Sequence, residues 1–123
     1  QGKYDEALEK HKEVLRIRQE LFGDVHPHVA RSLNNMAIVY QLQGDYPRAL
    51  DHYERALTIK LEIFGDVHAE VARTKFNMGL LHIAQGDKTT ARSLISAAHT
   101  VRMTCLGADH PDTKKAAAEL RDL

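Results

Sequence analysis

The chain has 123 residues, enough for one compact domain and too few for two large ones. Apolar residues make up 43% and charged residues 28%, so a packed fold is expected rather than disorder. The 17 Lys plus Arg cancel the 17 Asp plus Glu, which argues against nucleic acid or a membrane surface as partner, and the single cysteine, Cys105, excludes an internal disulfide and points to a reducing, cytoplasmic compartment.

Apolar spacing predicts six helices, over residues 4–22, 28–42, 46–64, 70–84, 88–106 and 112–122. In the first, the charges from Asp5 to Glu13 read as a solvated face, with Ala7, Leu8 and Leu15 apolar. Val29, Leu33, Met36, Ala37 and Tyr40 give the second helix one apolar face, and Ala49, Tyr53, Ala56, Leu57, Leu61 and Phe64 do so for the third. Between these two, Gly44 stands where a left-handed C-cap is wanted, Asp45 where an N-cap is, and Pro47 in the first turn. The other kind of connection runs from Gly23 to Pro27 and returns from Gly107 to Pro111, with glycine stopping one helix and proline opening the next. No segment shows the alternation of a strand flanked by hairpin turns. No run of apolar residues approaches the ~20 of a membrane span. The chain opens on Gln1 rather than Met and so reads as a piece of a longer protein.

The elements repeat. Gln1-Gly2 returns as Gln43-Gly44 and as Gln85-Gly86, steps of 42 residues, and 18 of the first 42 residues are identical in the second 42. Phe22-Gly23-Asp24-Val25-His26 becomes Phe64-Gly65-Asp66-Val67-His68, and Val29-Ala30-Arg31 becomes Val71-Ala72-Arg73. The third unit keeps Ala91, Ala98, Gly107 and His110 in register. A period of this length with two helices per unit marks a stacked repeat architecture.

Ala37, Tyr40, Gly44, Tyr46, Ala49, Tyr53 and Ala56 fall at the spacing of the tetratricopeptide signature, so the chain resembles that family. Its 42-residue period, longer than the usual 34, is similar to the repeats of kinesin light chains and nephrocystin-like proteins. The resemblance implies an all-α, right-handed superhelical solenoid of antiparallel helix pairs. In its register the helices at 28–42 and 70–84 are inner "A" helices, and those at 46–64 and 88–106 outer "B" helices. One tetratricopeptide domain is expected over 1–123: a partial repeat 1–26, full repeats 27–68 and 69–110, and a capping helix 111–123. The first helix then lacks an A partner, which leaves Ala7, Leu8 and Leu15 partly exposed and allows end-to-end self-association.

The period also generates ladders. Arg31, Arg73 and Lys115 are 42 residues apart, as are Asn35 and Asn77, and Asn34 lies beside the first of the amides. Packed helices lie about 8–10 Å apart, so a peptide laid across A helices could meet several rungs. The functional expectation is a protein-interaction scaffold binding an acidic peptide, with carboxylates on Arg31, Arg73 and Lys115 and the backbone on Asn34, Asn35 and Asn77. Ile38, Phe76 and Leu80 are expected to supply apolar contact. The alternative is a structural spacer or oligomerisation element, with both arginines paired to acids between repeats.

His26, His68 and His110 recur with the period and read as parts of the linking turn, without zinc-ligand spacing. His82 takes the slot of Tyr40 and is expected to be a buried, hydrogen-bonded ring. Cys105 aligns with Leu21 and Ile63 and is expected to be buried. No phosphate loop, nucleophile elbow or paired carboxylates appear, so neither catalysis nor a cofactor or metal is expected.

Overall fold

The computed structural model describes residues 2–123, in six α-helices: α1 (Gly2–Phe22), α2 (Pro27–Leu42), α3 (Tyr46–Phe64), α4 (Ala69–Ala84), α5 (Lys88–Leu106) and α6 (Pro111–Asp122). Every end lies within two residues of its predicted position, because the same glycines and caps punctuate each unit. Gly23, Gly44, Gly65, Gly86 and Gly107 all have φ between 79° and 87°, the left-handed conformation that ends a helix at little cost only for glycine. After Gly44 the Asp45 N–H returns to the Tyr40 carbonyl, and the Asp45 carboxylate accepts from the Arg48 N–H, so one short turn closes α2 and opens α3.

The helices group into two compact units, Gln1–Ile63 and Phe64–Leu123. In the first, α1 and α2 run antiparallel. Gln43 just beyond the end of α2 donates to Asp5 near the start of α1, and Arg18 near the end of α1 donates to the His28 carbonyl and to Ser32 Oγ. Val29, Ala30 and Leu33 of α2 pack with Ala56 of α3, and Leu15 and Ile59 close the cluster from either side. Tyr53 of α3 is fully buried, its hydroxyl donating to Gln41 Oε1 at 3.0 Å. That burial pushes the Tyr53 phenol up to about 12.

Leu8, expected to be partly exposed, is only 6% exposed. It stands seven residues, two helical turns, from Leu15, on the face that α1 turns toward α2. Val14, Ile17 and Leu21 carry the exposed apolar stripe of α1 instead, Leu21 at 70%.

In the second unit the core is Ala72, Phe76, Ile95, Ala98 and Ala116, with Leu80, Ile83, Val101, Leu120 and Leu123 around it. Close approach of α4 and α5 depends on Gly79, where an added methyl would stand 2.5 Å from Ile95 Cγ1. Arg92 near the start of α5 donates to the Leu123 carbonyl and Arg102 near its end to the Asp112 carbonyl, so α6 lies antiparallel to α5 and is fastened at both ends.

Candidate functional site

Three residues on each A-type helix share a face by their spacing of four and then three. On α2 these are Arg31, exposed; Asn35, half-buried; and Ile38, exposed. On α4 they are Arg73, exposed; Asn77, half-buried; and Leu80, half-buried against the core of the second unit. Lys115 is exposed on α6. Among the described residues none of Arg31, Arg73 and Lys115 takes part in an ion pair, so these basic groups are not neutralised by acids of their own chain.

Two of the expected contact residues are turned inward. Phe76 is 4% exposed and lies in the core, not on an open face. The small side chains of Ala98 and Ala116 leave room for its ring, and the guanidinium of Arg102 closes over it at 4.5 Å. Asn34, its equivalent on α2, is 8% exposed, with its amide oxygen enclosed and unpartnered. Neither is presented for contact.

Two periodic features escaped sequence reasoning. The recurring histidines are helix N-caps. The N–H of His28 donates to His26 Nδ1 at 3.1 Å, that of Glu70 to His68 Nδ1 at 3.0 Å, and that of Asp112 to His110 Nδ1 at 3.0 Å. Imidazole Nδ1 stands as far from the backbone as the Oδ1 of Asn or Asp, the usual capping acceptors. Phe22 and Phe64 stack on His26 and His68 with ring centroids 4.2 Å apart, which holds each imidazole in its capping rotamer. The signal was a histidine at every position just before an A-type helix.

The second feature is a cation at one register of every B-type helix, half-buried at Arg18 and buried at Lys60 and Arg102, again 42 residues apart. Lys60 is 4% and Arg102 5% exposed. Arg18 and Arg102 donate to equivalent carbonyls, those of His28 and Asp112, in the first turn of the next helix. Burial lowers the pKa of Arg102, Asp112 opposes that shift, and Arg73 adds to it, so Arg73 lies within the field of a second guanidinium.

The sequence pattern of the tetratricopeptide repeat matches residues 1–62 and again 34–102. The chain belongs to the tetratricopeptide repeat family. Among solved structures, BtubC (BKLC) from P. vanneervenii is similar with a TM-score of 0.88 and 25% identity, over 97% of this chain and 48% of that one. A kinesin light chain-type protein with nearly identical TPR-like repeats, from Podosopora anserina, is similar with a TM-score of 0.86 and 21% identity, over 98% of this chain and 57% of that one. The chain thus spans about half the length of these structures. No curated protein matches it by sequence.

The fold class is therefore the all-α helical solenoid of tetratricopeptide repeats, and such repeats generally mediate protein–protein interaction. The remaining side chains singled out from the sequence fit that frame with two corrections. Cys105 is exposed, not buried. Its register partners Leu21 and Ile63 are exposed as well, so an apolar residue there marks the outer side of a B helix. His82 is half-buried, but its Nδ1 stands 3.8 Å from Asp87 Oδ2, an ion-pair distance for a protonated ring and too long for a hydrogen bond. The Asp87 carboxylate is held below its ordinary range, first by hydrogen bonds from Thr90 and then by His82. Among the described residues no group of three or more His, Cys, Asp or Glu could hold a metal ion, and no helix is long and apolar enough to cross a membrane.

Proposed function

We propose that the chain is a protein-interaction scaffold whose A-type helices bind an acidic peptide. One observation carries this reading: the triplet Arg31, Asn35, Ile38 of α2 returns as Arg73, Asn77, Leu80 of α4, with both guanidinium groups exposed and neither in an ion pair. The first unit offers Arg31 and Asn35; the second offers Arg73 and Asn77 and adds Lys115. A guanidinium presents a planar fork that matches a carboxylate, and an amide both donates to and accepts from a peptide backbone. Because these groups are open to water, each charge contact contributes little, and affinity is expected on the order of micromolar. A peptide array varying the number of carboxylates tests it. Signal should rise from zero to two or three acidic residues, and a set of binders indifferent to charge would refute the acidic preference.

A second reading, self-association through α1, is favoured by the exposed stripe Val14, Ile17 and Leu21. The register partners of Val14 and Ile17 on α3, Ala56 and Ile59, are buried and half-buried. Sedimentation across a wide concentration range decides it, since self-association through this stripe requires the mean mass to rise with concentration.

A further inference from the structure

The helix connections contain an element that neither the repeat fold nor peptide binding calls for. Each A-type helix is capped by an imidazole, and only the neutral ring has a lone pair with which to accept. Imidazole is also the side chain whose ordinary protonation range lies between pH 5 and 8. A proton on Nδ1 removes the acceptor and places a positive charge at the positive end of the helix dipole.

The three caps differ in their surroundings. Only the turn at His26 carries a second imidazole. Beside it the ring of His28 lies 5.0 Å away, and Phe22 packs on both imidazoles. Arg18 of α1 reaches the His28 carbonyl, and Arg31 stands one turn further along α2. Asp24 in the turn is engaged by Gln19, and Arg55 and Glu62 of α3 line the same cleft as Asp24. At the other two caps Arg31 returns as Arg73 and Lys115, but the residue that donates to the capping ring is acidic, Glu70 after His68 and Asp112 after His110, with Asp109 also before His110 and Arg102 as the neighbouring cation from α5.

We propose that the turn at residues 22–28 is an acid-sensitive hinge, in which protonation of His26 and His28 uncaps α2 and loosens its first turns from α1. The second histidine reinforces the first. The pKa of His28 is lowered, first by desolvation and then by His26, Arg18 and Arg31. A histidine with a lowered folded-state pKa stabilises the fold above its ordinary range and loses that contribution as pH falls, the same direction as the loss of the cap acceptor. Acid opening would displace Arg31, which α2 carries just beyond the cap.

Backbone amide exchange, normalised for the intrinsic pH dependence of exchange, tests this on the whole chain. Between pH 7.5 and 5.5 the protection of residues 28–32 should fall about tenfold, the equilibrium equivalent of one lost cap and one misplaced charge. Residues 113–116, behind the acid-flanked cap of α6, should change less. His26→Asn supplies a capping oxygen that does not titrate. It should keep protection at pH 5.5 close to its value at pH 7.5. Equal protection of residues 28–32 at both pH values in the native chain would overturn the proposal. So would a loss in the His26→Asn protein as large as in the native one.

Discussion

Replacing Arg102 by alanine should destabilise the second unit by about 2–5 kcal/mol. The guanidinium is nearly enclosed, covers the Phe76 ring and donates to the Asp112 carbonyl in the first turn of α6. Truncation leaves that carbonyl short of a partner, about 1–3 kcal/mol, and forfeits the cation–π contact and the packing of the aliphatic stem, together about 1–2 kcal/mol. Arg102→Met separates the two contributions. It keeps most of the packed volume and loses the hydrogen bond, so it should recover roughly half of the loss. Urea unfolding of the three proteins measures this, and an Arg102→Ala protein as stable as the native one would show that the buried cation does not fasten α6.

Tyr53→Ala should cost the first unit about 3–5 kcal/mol, the range for deleting a fully buried aromatic side chain. Tyr53→Phe should cost only about 1 kcal/mol, because the ring remains and only the bond to Gln41 is lost. The phenol also makes a pH prediction. Its folded-state value, about 12, lies above the ordinary phenol value, so its contribution is fully present below pH 10 and is lost as pH rises toward 12. The native chain should therefore lose stability over that interval more steeply than Tyr53→Phe. Thermal melts at pH 9, 10 and 11 provide the comparison.

The fold was legible because its punctuation repeats: glycine in the left-handed region closes each helix, and the apolar spacing survives in both full units. The shared face of Arg31, Asn35 and Ile38 was legible for the same reason, since spacing alone places residues four and then three apart on one side of a helix. What spacing does not disclose is which way an unusual residue turns. Phe76 replaces an asparagine, and its apolar character suggested a groove contact, yet small alanines on α5 and α6 make a hole that its ring fills. Cys105 was assigned inside because its partners are apolar, although Leu21 and Ile63 are themselves outside. Arg18, Lys60 and Arg102 were overlooked because a charged residue on a helix ordinarily reads as solvated. Here periodicity is the better guide, for Arg18 and Arg102, two units apart at one register, each fasten the first turn of the next helix. The histidine caps were placed in the right turn but without their role, because capping is usually the work of Ser, Thr, Asp or Asn.

The central claim is that repeated, unpaired basic residues on the A-type helices recognise an acidic peptide. Calorimetric titration of one acidic peptide into the native chain and into the Arg73→Glu protein, each at 50 and 300 mM salt, tests it most directly. Binding should be weaker at high salt, where exposed charge contacts are screened over a few ångströms. Charge reversal should bring a further loss on the order of tenfold, from one lost attraction and one new repulsion. Binding that ignores both the salt and the substitution would contradict it.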